Sequence, residues 1–290
     1  MDRIIVEGKR KASLQYLRDA FPDFKLKMAR MLRSRVYGSL SDMGAVFGFG
    51  RYELLDFRRK EHVKVFGRNI YCLPLLCGDL IATFNLVEEK QAKLDIADKD
   101  GGYEITVRAG GEYDEETSRR LQKSVIVPRP GDYELEGCPG CGVPQALKEY
   151  KWDQGEGVMT DTVTGRHMAF LGPEEIEIIL RELEVELGED IPRTIVEAQR
   201  QYVIEALGQS EFEKSPGYLR RQLAMRGLGN LVDLDLANER LDVVVENASP
   251  SLLVAGIMQG IYELITGNTS SYDLDRDGDG TLRMTVTRAS

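Results

Sequence analysis

The sequence predicts an α+β fold built from an internally duplicated unit, in which an antiparallel sheet packs on helices. Three repeated features predict it: a Gly-x-Gly turn before an apolar strand, an apolar helix, and an alternating closing strand. Residues 48–57 align with residues 227–236 at an offset of 179. Alternation of apolar and polar residues in the closing strands is typical of an antiparallel sheet with one face against helices. Both glycines of the turn match, and so do the apolar pairs Phe49/Leu228, Leu55/Leu234 and Phe57/Leu236.

The match continues downstream, with single-residue shifts that fall in turns. At an offset of 178, Asn69 aligns with Asn247 and Gly78 with Gly256. Loops tolerate insertions better than strands and helices, so shifts of this kind indicate a true internal repeat. The other matched pairs are Val63/Leu241, Val65/Val243, Phe84/Tyr262, Leu86/Leu264, Val87/Ile265, and, after one more shift, Tyr103/Leu282, Ile105/Met284 and Val107/Val286.

The repeat predicts three regions along the chain. Residues 1–112 are expected to form a first, truncated unit, and residues 148–290 a second, fuller unit. Residues 113–147 are polar, contain Pro128 and Pro130, and are predicted to form a linker. The second unit is expected to be fuller because apolar residues at helical spacing precede its Gly-x-Gly turn.

Composition limits the classes of function. The 290 residues are 42% hydrophobic and 30% charged, which is typical of a globular protein, and the net charge is −10. An acidic surface repels phosphate backbones, so no nucleic-acid partner is expected. The most apolar stretches, residues 71–86 and 252–265, are shorter than the roughly 20 residues that a membrane span needs. The N-terminus has no visible signal peptide, and four cysteines suit a reducing compartment, so cytoplasmic localisation is expected.

The repeated pattern resembles the 4-vinyl reductase domain, which shares its fold with ligand-binding transport-complex subunits of the TRAPP type. The better match is the second copy, with Gly227, Gly229, Asn247 and Gly256. The resemblance implies binding of a small hydrophobic molecule in a cavity between helices and sheet, often in a homodimer. Sensor members carry cysteines for a zinc site in the closing hairpin, whereas residues 272–280 of this chain contain none.

Four repeat-related apolar residues are the candidate ligand-binding positions. They flank the Gly-x-Gly turns or lie in the apolar helices, and each is also compatible with an ordinary role in the core. These candidates are Phe49, Phe84, Leu228 and Tyr262.

The sharpest motif is the cysteine knuckle at residues 138–142, with sequence Cys-Pro-Gly-Cys-Gly. Two thiolates at this spacing are typical of zinc ribbons and of rubredoxin-like iron sites, so zinc or iron is the candidate cofactor. A tetrahedral site needs four ligands. Cys72 and Cys77 could join Cys138 and Cys141 within one chain, or two knuckles could meet across a dimer. The alternatives are a reversible thiol pair, or cysteines with a structural role only.

The sequence is therefore compatible with three functions. The first is non-catalytic binding or sensing of a small hydrophobic or aromatic ligand. The second is a metal-binding or redox protein that uses Cys138 and Cys141. The third is a reductase, or an enzyme accessory, acting on a vinyl or porphyrin-like substrate, which only the family name suggests. No serine in a nucleophile elbow and no phosphate loop is present in the sequence, so a role other than catalysis is expected.

Overall fold

The computed structural model describes residues 2–20, 23–112, 128–162, 164–206, 216–237 and 239–289. The chain divides into two compact units. The first comprises Met1–Lys123 together with Glu149–Glu186, and the second comprises Ser124–Lys148 together with Leu187–Ser290. This division differs from the predicted regions 1–112, 113–147 and 148–290, because residues 149–186 belong to the first unit. None of the helices in the described ranges is long and apolar enough to span a membrane.

Within the described residues, the first unit contains a four-stranded sheet, five helices and a small second sheet. Its helices are α1 (Asp2–Ala20), α2 (Asp23–Met31), α3 (Arg33–Val46), α4 (Leu73–Glu88) and α5 (Pro173–Leu187). The main sheet consists of β1 (Arg51–Arg58), β2 (His62–Arg68), β3 (Lys90–Lys99) and β4 (Gly102–Glu112), and the small sheet of β5 (Tyr150–Asp153), β6 (Val158–Asp161) and β7 (His167–Met168).

The second unit repeats the main elements of the first. A short 3-10 helix lies at Gln145–Glu149, on the boundary between the units. The helices are α6 (Ile191–Ala206), α7 (Pro216–Met225) and α8 (Ser251–Thr266), and the strands are β8 (Asn230–Ala237), β9 (Arg240–Glu246), β10 (Ser270–Arg276) and β11 (Leu282–Arg288).

The two main sheets have the same topology, which confirms the α+β class and the duplication. Their strand orders are β1-β2-β4-β3 and β8-β9-β11-β10, with every neighbouring pair antiparallel. The registers agree too, since Val65 pairs with Ile105 and the aligned Val243 pairs with Met284. The sequence shifts fall in turns as expected: three residues separate β1 from β2, and two separate β8 from β9.

The Gly-x-Gly turns require glycine in both copies. Gly48 and Gly50 have φ of 78° and 108°, and Gly227 and Gly229 have φ of 66° and 133°. These values lie in a backbone region that residues with a Cβ rarely adopt. In both copies this turn connects a helix to the first strand of the main sheet.

The first copy is not shorter at its front than the second, in contrast to the expected truncation. Helices α1 and α3 precede β1 just as α6 and α7 precede β8. Helix α1 packs on α4 and α6 packs on α8. A Cβ on Gly78 would lie 2.8 Å from the Val6 carbonyl oxygen, and a Cβ on Gly256 would lie 2.6 Å from that of Val196. These glycines let the paired helices of each unit approach closely.

An ion network at this helix pair is duplicated as well. The Arg10 guanidinium donates from Nε to Glu7 at 2.8 Å, and Arg200 donates from Nε to Glu197 at 2.8 Å. Arg10 also reaches Asn85, whose aligned residue Glu263 is contacted by Arg200. The α1 residues therefore correspond to α6 residues at an offset of 190.

Each unit has its own hydrophobic core between its helices and its main sheet. The larger buried cluster lies in the second unit and includes the inward faces of β9, β11 and α8. The first unit has the equivalent cluster from β2, β4 and α4. Burial of the alternate strand residues is what the period of two predicted.

Candidate functional site

A polar cluster lies between helices α1, α4 and α5 of the first unit, with two of its four side chains buried. It consists of Lys9, Ser13, Asp79 and Glu175, and is called the Lys9 cluster below. Lys9 is 2% exposed. Its Nζ atom lies 2.7 Å from Glu175 Oε2 and 3.3 Å from Asp79 Oδ1. The Ser13 hydroxyl donates a hydrogen bond to the Asp79 carboxylate.

The helices place these side chains by simple geometry. Lys9 and Ser13 are four residues apart, so they lie on the same face of α1. Asp79 follows Gly78, where the absence of a side chain lets α1 come close to α4. Glu175 lies in the first turn of α5, where the positive end of the helix dipole favours a carboxylate.

The electrostatics of the Lys9 cluster keep Lys9 charged. Burial by itself would lower the pKa of Lys9, but Asp79 and Glu175 outweigh burial and raise it above its ordinary value. Desolvation raises the pKa of Asp79, against the opposing effects of Lys9 and the Ser13 hydrogen bond. The Asp79 side chain is nevertheless 34% exposed, so the cluster borders on solvent at this residue.

Aromatic side chains adjoin the Lys9 cluster. Lys9 Nζ lies 5.9 Å from the ring centroid of Phe49, a half-buried residue of the Gly-x-Gly turn. The ring centroid of Phe47 lies 6.1 Å from that of Phe49. Tyr52 is buried nearby, and burial together with the charge of Asp79 raises the pKa of its hydroxyl. Phe49 is thus the predicted ligand-binding residue that stands beside charged groups.

The second unit has no such charges at the equivalent positions. At the offset of 190, Gln199 aligns with Lys9 and Val203 with Ser13. At the offset of 178, Ile257 aligns with Asp79. The same contacts of the helix pair form around them, since Gln199 lies against Gly256 as Lys9 lies against Gly78. The fold itself therefore does not require a charged group at this interface.

The other predicted ligand-binding residues lie in packed cores. Phe84 and Tyr262 are completely buried, and Leu228 is half-buried against the core of the second unit. The Tyr262 hydroxyl donates a 2.7 Å hydrogen bond to the carbonyl of Glu239. A contact of any of these three residues with a ligand stays a prediction.

The cysteine knuckle forms a tight turn in the second unit. The Cys138 N–H donates to the Val143 carbonyl at 2.7 Å, and the Gly142 N–H donates to the Cys138 carbonyl at 2.8 Å. Cys138 is half-buried and Cys141 is exposed. Backbone N–H groups of Gly140 and Cys141, with the Cys141 side chain, lower the pKa of the Cys138 thiol.

Cys72 and Cys77 belong to the first unit and differ from the knuckle pair. Cys77 is completely buried in α4, and burial raises the pKa of its thiol to about 12. Cys72 is the half-buried residue before α4. Among the described residues, no group of three or more His, Cys, Asp or Glu side chains is arranged to hold a metal ion. The structure thus gives no support to a joint site of the four cysteines.

Sequence reasoning missed the Lys9 cluster, although a signal for it was present. Residues 5–7 and Arg10 read Ile-Val-Glu-x-x-Arg, and the same pattern recurs at residues 195–197 and Arg200. Its offset of 190 differs from those of the strands, so it falls outside the downstream alignment. When this match is included, Lys9 aligns with Gln199, and the sequence shows that the first copy has a charged residue where the second has a neutral one.

Comparisons with known proteins leave the family of this chain open. No model of a known protein family and no curated protein matches it. Among solved structures it is similar to H-NOX domains, at TM-scores too low to indicate a shared function. These include a Cs H-NOX mutant with 4-cyano-L-phenylalanine at site 5 (13% identity, TM-score 0.31, covering 50% of this chain and 85% of that one), the I5F mutant of T. Tengcongensis H-NOX (13%, 0.30, 50% and 86%), and an oxygen-binding H-NOX domain related to soluble guanylate cyclases (14%, 0.30, 50% and 84%).

Proposed function

We propose that this chain is a non-catalytic binding protein, whose first unit holds a small hydrophobic or aromatic molecule that carries a hydrogen-bond donor. The observation that supports this proposal is the Lys9 cluster, which stands where the second unit has neutral side chains. Desolvating charged groups costs free energy, and well-packed apolar residues often serve the fold equally well. Charges kept in one copy alone are therefore explained better by binding than by stability.

The charges suggest the chemistry of the ligand. Two carboxyl groups stand beside one ammonium group, so a ligand with an amine or hydroxyl group is favoured over an anion. The Asp79 and Glu175 side chains are 34% and 21% exposed, so such a group would approach them from the solvent side. Phe49 beside the cluster offers an aromatic wall. Apolar contact would contribute about 25 cal/mol per Å² buried, and the polar groups would orient the molecule.

The same electrostatics favour binding over catalysis. An amine acts as a nucleophile or a general base only when it is unprotonated. The pKa of Lys9 is raised, so the amine stays protonated at neutral pH. The two acids instead hold it in place as a fixed donor.

The first test is native mass spectrometry of the protein as purified, followed by the same sample denatured. We expect an organic mass that is released on denaturation. The variant Lys9→Gln/Ser13→Val/Asp79→Ile gives the first unit the residues of the second and is expected to lose that mass. The matched control, Gln199→Ala in the second unit, is expected to keep it. Retention of the same mass by the triple variant would place the ligand elsewhere.

A second test uses probes of opposite charge on the same ring system. We expect 1-naphthylmethylamine to bind the wild-type protein and 1-naphthalenesulfonate to bind much more weakly, as measured by calorimetry. The triple variant should lose the preference for the amine. Equal binding of both probes to wild type, or an unchanged preference in the variant, would contradict a site at the Lys9 cluster.

A further inference from the structure

The cysteine knuckle at residues 138–142 is a turn that carries two cysteines. Two backbone hydrogen bonds close it, as described above, and a bridge between Gly137 and Pro144 flanks it. Cys141 directly precedes Gly142, whose N–H donates to the Cys138 carbonyl, so the turn brings the two cysteines close together along the backbone.

A second turn with the same backbone bonds shows that the cysteines are not needed to form it. The Asp161 N–H donates to the Arg166 carbonyl at 3.0 Å, and the Gly165 N–H donates to the Asp161 carbonyl at 2.8 Å. Gly165 and Gly142 share a left-handed conformation, with φ of 68° and 77°. This turn carries Asp161 and Thr164 where the knuckle carries its cysteines. The thiols of the knuckle are therefore additional to what the turn requires.

The sulfur of Cys138 faces the backbone of the turn, since a Cβ placed on Gly140 would lie 3.9 Å from Cys138 Sγ. Two cysteines separated by two residues are typical of zinc ribbons, in which each thiolate is one of four tetrahedral ligands. The turn therefore fits metal binding.

We propose that Cys138 and Cys141 are half of a zinc site that the same pair of a second copy of this chain completes. Zinc in structural sites takes four tetrahedral ligands. Among the described residues, no third ligand is arranged with this pair. Cys141 is exposed and Cys138 half-buried, so the pair is open to a partner. Each thiol that is protonated beforehand releases its proton when Zn²⁺ binds, and no electron is transferred.

The test uses the full chain, reduced and stripped of metal with a chelator, then titrated with Zn²⁺. We expect one zinc ion per two chains by elemental analysis, and a doubling of the native mass that the chelator reverses. Cobalt in place of zinc should give the visible absorption of a tetrahedral thiolate site. Cys138→Ser and Cys141→Ser should each abolish zinc binding and dimerisation, while Cys72→Ser, the matched control, should change neither.

Three results would overturn the proposal. One zinc ion per monomer, lost also in Cys72→Ser, would indicate the single-chain site of four cysteines. Dimerisation without zinc would show that the dimer does not depend on a zinc site. Failure to bind zinc, with circular dichroism showing that the chain is folded, would leave the knuckle as a thiol pair. The ligand proposal for the first unit depends on none of these outcomes.

Discussion

The two units of this protein share a backbone plan but differ in what they bury between their first helix and the apolar helix that follows their second main-sheet strand. In the second unit Gln199 and Val203 of α6 lie against Gly256 and Gly260 of α8, and Ile257 is the residue aligned with Asp79. In the first unit the equivalent pair buries Lys9 against two carboxylates, and α5 packs on its outer side. The second unit thus serves as an internal reference, because it shows what the shared fold needs. What the first unit has in addition is a candidate for function.

The largest effect is expected from removing Lys9 alone. In Lys9→Met, Asp79 and Glu175 lose the positive charge between them, and breaking a buried ion pair in this way costs about 3 kcal/mol of unfolding free energy. The triple variant with the residues of the second unit should lose much less, because Asp79 is replaced too. Urea unfolding of both variants at neutral pH measures the difference. If Lys9→Met were as stable as the triple variant, the charges would not be coupled.

A smaller and symmetrical effect is expected at the helix contacts. Gly78→Ala and Gly256→Ala each place a Cβ within 2.6 Å of a side chain and within 2.8 Å of a carbonyl oxygen of the paired helix. Overpacking of this kind costs about 1–3 kcal/mol. Gly38→Ala is the control, because its Cβ would meet nothing within 4 Å, and it should stabilise α3 slightly. Thermal unfolding compares all three variants. A large loss in one unit only would mean that the contacts are not equivalent.

The smallest effect is expected at alkaline pH. The pKa of Lys9 is raised above its ordinary value of 10.5 in the folded protein, where Asp79 and Glu175 outweigh burial. The folded state therefore holds this proton more tightly than the unfolded chain does. Its contribution is complete below pH about 10.5 and is lost as pH rises through the folded pKa. Urea midpoints measured up to strongly alkaline pH should fall more steeply for wild type than for the triple variant. If the urea midpoints of both proteins fell in parallel with rising pH, the pairing of Lys9 with Asp79 and Glu175 would be contradicted.

Local sequence patterns were enough to predict the strands and to align the two copies, with Val65 on Val243 and Ile105 on Met284. The pairing of Val65 with Ile105, and of Val243 with Met284, came from the structure. The same information could not place residues 149–186, because their packing on α1 depends on contacts between distant residues. Lys9 and Glu175 are 166 residues apart. A pairing at that separation has no periodic signal.

The candidate site was predicted only in part for the same reason. Phe49 was selected by the repeat and does lie beside the Lys9 cluster. Lys9 and Asp79 were not selected, because the sequence of a single helix does not distinguish a charged residue that pairs inside the protein from one that faces solvent. The cysteine motif was visible in the sequence, but the two backbone hydrogen bonds that close its turn became apparent only from the structure.

The order of the units along the chain has a consequence for synthesis. Because the first unit resumes at residue 149 after a segment of the second, it cannot be completed while the ribosome has released only residues 1–112. Until α5 emerges, Lys9 lacks Glu175, and the surface of α1 at Gly8 lacks Ile179. During synthesis, the main sheet of the first unit can therefore form before Glu175 and Ile179 are available to pack against α1.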